Sequence, residues 1–264
     1  MEKQLHLGFP VPLLGLQPVR LPVLYDDGDL IALAKPVGVL VQTESWYPRL
    51  PVLIEAIRHQ CEQEKPEFTR LGIGTGGLWA VNDLDPECYG PVLFARTRER
   101  AEELRNEMGS EAFRFTFCLL SKGRPGKDTL GCELPLARHR NEKRVLVSHT
   151  TGKKSETRFS AAGQTGSCRQ WLAETAFPRR HQILIHAVES GLPVMGDEFY
   201  AREKPLLLSR LKRDYQPKRD LEERPLYEGP AYFLMRIQKG DDLVVDCPPQ
   251  NRWTGLLKQL RRYG

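Results

Sequence analysis

Short apolar runs that recur between turn signals, with few helical stretches separating them, limit what these 264 residues can fold into more than any other feature. They fall at residues 113–120, 144–147, 156–160, 168–175, 232–237 and 243–247. Runs of this length, rich in β-branched and aromatic types and bounded by Gly, Pro, Asn or Asp, read as strands. Strands that follow one another without an intervening helix pair antiparallel. The pattern predicts an α+β fold with a mostly antiparallel, mixed central sheet flanked by helices, and it argues against a doubly wound parallel sheet.

The same logic places the earlier elements. Asp26-Asp27-Gly28-Asp29 is a strong turn signal between two apolar runs, 21–25 and 30–34, which predicts two strands joined tightly. Apolar residues at 53, 54, 57 and 61 have helical spacing, so residues 52–64 are expected to be a helix. A second helix is expected from a Thr97 cap to near Gly109, and a last one over 253–260. Residues 1–20 are Pro-rich and aperiodic and are expected to form an N-terminal arm lying on the surface. Residues 21–264 then make one domain, and the charged stretch 212–228, with Pro217 and Pro225, is expected to be an exposed insertion.

With 40% apolar residues the chain can bury a full core. Its 39 Lys and Arg against 34 Asp and Glu give a formal net charge of +5, which permits a polyanionic partner without requiring one. The six cysteines, at 61, 88, 118, 132, 168 and 247, contain no Cys-x-x-Cys pair, so no zinc ribbon or dithiol motif is readable and a reduced, cytoplasmic chain is expected. No run approaches the roughly 18 apolar residues that cross a bilayer, and Pro10 and Pro12 interrupt the N-terminal apolar patch; neither a membrane association nor a leader is expected.

Three blocks carry chemistry. The first, residues 24–41, runs from the acidic turn through an apolar strand into Lys35-Pro36-Val37-Gly38. The second is Asn82-Asp83-Leu84-Asp85-Pro86-Glu87-Cys88-Tyr89-Gly90, followed by the apolar run Val92-Leu93-Phe94-Ala95 and Arg96-Thr97. The third, Arg179-Arg180-His181-Gln182-Ile183-Leu184-Ile185-His186, continues into Gly191-Leu192-Pro193-Val194-Met195-Gly196-Asp197-Glu198-Phe199-Tyr200. Together, and in this order, they resemble the motifs of the RluA-type RNA pseudouridine synthases. In that family, Lys-Pro-x-Gly closes the first block, His-Arg-Leu-Asp followed by Thr-Ser-Gly forms the second, and Gly-Arg-x-His-Gln-Ile-Arg-x-His opens the third. Here Asn82, Asp83, Cys88, Tyr89 and Leu184 stand where the family has His, Arg, Thr, Ser and Arg.

The resemblance covers most of the chain and implies the pseudouridine synthase fold and an isomerase that converts uridine to pseudouridine in structured RNA, rRNA or tRNA. No metal or organic cofactor is implied. Asp85 is the carboxylate that falls on the nucleophile's position. Such a group is ionised near neutral pH and can leave again after attacking the nucleotide. Phe117 falls on the position of an aromatic residue that packs against the target base, and Arg179, His181 and Gln182 are placed near the substrate. A monomer is expected.

Other assignments stay open on the residues alone. An Asp before Pro-Glu is also a common turn former, and Asp83 sets a second carboxylate about 7 Å away on an extended segment, a repulsion of about 2 kcal/mol. His181 and His186 are five apart, a poor spacing for metal ligands on one helix; they orient the helix start and contact RNA or neighbouring loops, or they are surface and capping residues. Cys88 reads as a packing residue, and Lys35 as support for the fold. Basic clusters at 138–144, 153–154, 212–213 and 261–262 either follow a phosphate backbone or are solvated faces. The competing function is a catalytically degenerate RNA-binding relative.

Overall fold

The computed structural model describes residues 5–110, 112–212, 215 and 223–264. Along the chain lie β1 (His6–Phe9), β2 (Val19–Asp26), β3 (Leu30–Lys35), α1 (Leu53–Glu62), α2 (Pro66–Arg70), β4 (Trp79–Ala80), β5 (Gly90–Ala95), α3 (Arg98–Glu107) and β6 (Phe113–Ser121). They are followed by β7 (Thr129–Cys132), β8 (Leu136–Arg138), β9 (Val145–Val147), β10 (Thr157–Thr165), β11 (Cys168–Thr175), α4 (Gln182–Glu189), α5 (Leu208–Leu211), β12 (Tyr232–Lys239), β13 (Leu243–Asp246) and α6 (Asn251–Tyr263). Two compact units result, one of residues 1–115 and 234–247, the other of 116–233 and 248–264.

The first unit holds a five-stranded sheet ordered β1-β2-β3-β5-β4, antiparallel throughout. Every residue of the central strands β3 and β5 is buried, which is why their sequences are continuously apolar instead of alternating. The acidic turn forms as expected: Asp27 Oδ1 accepts the amides of Asp29 (2.9 Å) and Leu30 (2.7 Å), and Arg96 pairs with Asp26 at 2.5 Å. Helix α3 begins at Thr97, whose hydroxyl accepts the Arg100 amide at 3.2 Å.

Residues 6–9, expected in a surface arm, form the edge strand β1 instead. Leu7 and Phe9 are buried, Phe9 packs edge-on against Phe68 at 5.7 Å, and the Gln60 amide donates to Gly8 O at 2.6 Å. Four residues before Pro10 are too few to show a period in sequence. Antiparallel β12 and β13 complete this unit, with Arg236 facing Asp246.

Gly90 is where β12 comes closest to the second motif. A Cβ built there would lie 2.6 Å from Leu234 Cβ and 2.7 Å from Leu234 O, and the Leu234 amide donates to Tyr89 O at 2.9 Å. Gly90→Ala is therefore expected to destabilise the protein by about 2 kcal/mol or more, because backbone on both sides must move. Urea unfolding checks this; a midpoint equal to that of the unsubstituted protein would contradict the close approach.

In the second unit the strand order is β6-β11-β10-β7, with β10 antiparallel to β11 and to β7, and a separate hairpin pairs β8 with β9. Trp171 and Phe159 fill its core. The charged stretch 212–228 lies partly outside the described residues. In its described end Arg224 and Glu228 are exposed, as expected, but Tyr227 is buried, with Arg252 4.7 Å above its ring and Trp253 edge-on at 5.9 Å. An aromatic residue between charged neighbours found a partner on α6 that composition alone did not reveal.

Candidate active site

Asp85 sits at the first position of a reverse turn closed by the Cys88 amide donating to Asp85 O at 2.9 Å, with Pro86 at the second position, where its fixed φ is favourable. The turn-forming character of Asp-Pro-Glu is thus realised by the backbone. The side chain of Asp85 remains part-exposed, while Leu84, Pro86 and Cys88 are buried around it. Asn82 extends the sheet edge by accepting the Leu93 amide at 2.8 Å and donating to Pro91 O at 3.4 Å. At the family's His position, a side-chain amide therefore acts as one more backbone unit of β4.

The first motif holds this turn from behind. Gly38, at φ +81°, donates its amide to Pro86 O at 2.8 Å, a conformation that favours glycine. Lys35 is fully buried, and its ammonium donates to Pro36 O at 2.9 Å and to Val39 O at 2.7 Å. Burial pushes its pKa down to about 8, against the opposing pull of Cys88, Asp83, Asp85 and Glu87. A buried cation thus faces the carboxylates of the second motif. Its hydrogen bonds to two backbone carbonyls make Lys35 a support of the fold, as expected, and its charge attracts the acids of the second motif. The Lys-Pro-x-Gly pattern was visible in sequence, but this electrostatic role was not.

Asp83 is exposed and its carboxylate accepts the Leu84 amide at 2.8 Å, so water and a local amide hold its charge. Cys88 packs as expected, fully buried, with its thiol donating to Tyr89 O at 3.4 Å. Burial raises the pKa of Tyr89, whose hydroxyl pairs with the Cys247 thiol; burial also pushes Cys247 up to about 11.

The second unit carries the remaining candidates. Phe117 is buried and stacked on Tyr232, ring centres 6.4 Å apart at 22°. His181 occupies the N-cap position of α4 in the left-handed region, φ 54°, and its Nδ1 lies 2.6 Å from the Tyr200 hydroxyl. That hydroxyl accepts the Val145 amide at 3.0 Å, tying β9 to the start of α4. Tyr200 is placed by Asp197, which accepts the amides of Phe199, Tyr200 and Ala201. Gln182 is fully buried: its carbonyl accepts the Arg179 amide, and its NH2 group faces Glu156 O and the hydroxyls of Thr157 and Thr175 at 2.9–3.1 Å. These bonds fix the turn that presents Arg179 and His181. Arg179 Nε donates to Lys154 O at 2.9 Å, its guanidinium lies 5.0 Å from the Phe177 ring, and burial lowers its pKa.

Both histidines are buried, so neither is a surface residue. His186 is held at both ring nitrogens, Nδ1 2.9 Å from Thr157 Oγ1 and Nε2 donating to Leu134 O at 2.9 Å. Burial lowers its pKa below the usual 6.5. Below that value the unfolded chain takes up a proton that the folded chain refuses, so stability is lost as pH falls from about 6.5 toward the depressed folded value. The urea midpoint is expected to drop over this range. His186→Gln, about 1–3 kcal/mol less stable at neutral pH through lost hydrogen bonds, should show a shallower drop; an equal drop in both would contradict the assignment.

Leu184, where the family has Arg, is buried in α4. The cluster 138–144 caps the β8–β9 hairpin, where Arg144 pairs with Glu142 at 2.8 Å. Lys153 and Lys154 are exposed, as are Arg261 and Arg262 on the last turn of α6; Arg213 lies outside the described residues. Among the described residues no group of three His, Cys, Asp or Glu is placed to hold a metal, and no helix is long and apolar enough to cross a membrane.

No profile of a known protein family matches the chain. Individual proteins do. Chloroplastic RNA pseudouridine synthase 2 of Oryza sativa subsp. japonica is 24% identical over 306 residues, spanning 94% of this chain and 68% of that protein. The dual-specificity RNA pseudouridine synthase RluA of Yersinia pestis is 26% identical over 194 residues, 72% of this chain and 87% of that protein. Against four of its curated relatives, the chain spans 52% to 68% of their length. The solved structure of human RNA pseudouridylate synthase domain containing 4 has a TM-score of 0.64 at 14% identity, covering 90% of this chain and 92% of that one, a likeness of fold. With the α+β sheets and the ordered motif blocks, these matches show that the chain is similar to the RluA-type RNA pseudouridine synthases in sequence and to a pseudouridylate synthase in fold.

Proposed function

We propose that the protein isomerises uridine to pseudouridine in structured RNA, with Asp85 as the nucleophile. The observation that carries this is the setting of Asp85: a part-exposed carboxylate on a proline turn, anchored through Gly38, in the field of a fully buried ammonium. The Asp85 carboxylate attacks the target nucleotide and the C1′–N1 bond breaks. The detached base rotates and a C1′–C5 bond forms. Asp85 leaves the sugar as that bond forms, with its carboxylate restored; C5 then gives up its proton and N1 regains one. No oxidant or cofactor is needed for this balance.

Phe117, expected to pack against the base, is instead buried and stacked on Tyr232, so in this structure it offers no open face to a base. Arg179, with Nε engaged by Lys154 O, has its two terminal nitrogens for an RNA phosphate. His181, buried and bonded to the Tyr200 hydroxyl, acts as a positioning residue at the start of α4. Gln182 acts through these two as a positioning residue, its own amide being engaged within the protein. The relatives' names support RNA as the partner, and we take rRNA or tRNA as the substrate and a monomer as the working form. Six buried cysteines, none of them in a disulfide, fit a reducing compartment such as the cytoplasm.

Release of tritium from RNA labelled at uridine C5 tests this, since the rearrangement must expel the C5 hydrogen. Release from a structured rRNA or tRNA transcript is the expected result. RNA binding without any release from either substrate would instead identify a degenerate binding protein.

A further inference from the structure

A concavity of about 550 Å3 in the second unit gathers side chains from four separate parts of the chain. Lys122 follows β6, Ser167 sits in the β10–β11 turn, Arg202 and Lys204 lie in the loop after Tyr200, and Arg210 lies on α5. Buried Met195 and Leu206 also line it. The four cations are exposed, and none forms an ion pair among the described residues. Two acids are near. Glu203 belongs to the lining, and Glu223, whose charge reaches Arg210, already accepts the Ser209 amide at 2.8 Å.

Four cations converging on one polar hollow repel one another, and the arrangement is relieved when an anion enters. Arg202 adds a second sign: it holds a left-handed backbone, φ 53°, that a non-glycine residue rarely adopts. An apolar ligand gains little from so open and charged a wall, whereas a phosphate accepts hydrogen bonds from guanidinium, ammonium and hydroxyl donors together. None of these side chains has a role in the proposed isomerisation.

We propose that this concavity is a phosphate-binding site that grips the backbone of the RNA substrate, an inference that rests on the RNA reading above. Sequence inspection singled out neighbouring clusters at 212–213 and 261–262, but these four cations are spread over 89 positions and only the fold collects them.

The test is the salt dependence of binding to a structured rRNA or tRNA transcript, read by fluorescence anisotropy, for the unsubstituted protein and for a combined Arg202→Gln, Lys204→Gln, Arg210→Gln variant. Thermal melts establish that the variant is folded, and Lys122→Gln alone serves as an independent variant. Loss of three phosphate contacts should reduce the log-log salt slope by about 2 to 3 and weaken binding on the order of 10²-fold near 0.1 M salt. Titration with inorganic pyrophosphate forms the second arm. If the variant loses pyrophosphate binding while its RNA slope is unchanged, the site serves a free phosphate compound and the RNA assignment is overturned. If the unsubstituted protein binds RNA and neither measurement changes in either variant, the site itself is refuted and the proposed function stands. If the unsubstituted protein binds no RNA at all, the proposed function fails, the RNA assignment falls with it, and pyrophosphate alone decides whether a phosphate site exists.

Discussion

Asp85→Asn is expected to remove isomerase activity by at least about 10⁴-fold while leaving the fold unchanged, because an amide of the same shape cannot form and release the bond to the nucleotide. The side chain is part-exposed at the head of a turn whose closing bond is made by backbone atoms, so stability should change by less than about 1 kcal/mol. RNA affinity should also persist, since the cations that meet phosphate lie elsewhere in the chain. Tritium release and a urea titration on the same preparation check both halves. Activity in the substituted protein equal to that of the unsubstituted one would remove Asp85 from the mechanism.

The second large effect belongs to Lys35. Its depression from 10.5 to about 8 corresponds to about 3 kcal/mol held against folding at neutral pH. Lys35→Met relieves that burden but leaves Pro36 O and Val39 O without their donor, about 1–3 kcal/mol each. Net stability near pH 7 should therefore change little. Activity should fall about 10- to 100-fold, because the turn anchored through Gly38 loosens and Asp85 loses the cation that faces it.

pH separates this account from a merely structural one. Between about 8 and 10.5 the unfolded chain carries a proton on Lys35 that the folded chain has released, so stability of the unsubstituted protein rises with pH across that window and is flat in this respect below it. Over the same rise the ammonium is lost, and kcat/KM should decline above about pH 8. Lys35→Met should show neither trend. A substituted protein with full activity and an unaltered pH profile would return Lys35 to simple packing.

Much of this was legible in the sequence because it depends on local chemistry. The Asp26–Asp29 turn, the Thr97 cap, the period of α1 and the runs of β6 and β9 to β13 each announce themselves within a dozen residues, whereas β7 and β8 do not. The turn headed by Asp85 was equally legible, through Asp-Pro-Glu. The unread features arise where distant residues meet. Lys35 looked like part of a common strand ending, and its full burial and its attraction to the acids of the second motif come from residues far along the chain. Gln182 and His186 looked like residues for RNA, yet Thr157, Thr175, Glu156 and Leu134, all from earlier strands or loops, take their hydrogen bonds. Strand β1 escaped because its two buried residues lie in a four-residue run beside prolines.

The loss of His, Arg, Thr and Ser around the nucleophile also has a physical reading. Asn82 and Tyr89 have become structural, one bonded to β5 and the other paired with Cys247, while Leu184 joins the core. Asp85 stays part-exposed beside exposed Asp83, while Asn82, Cys88 and Tyr89 are buried. That division is what the central claim requires: catalysis with fewer side chains around the same acid.

Mapping pseudouridine across rRNA and tRNA from cells with and without the gene tests that claim most directly. The account expects at least one uridine to lose its modification in the deletion, to regain it with the unsubstituted gene, and to remain unmodified with Asp85→Asn. Identical maps in all of these cells, with the protein expressed and folded, would contradict it.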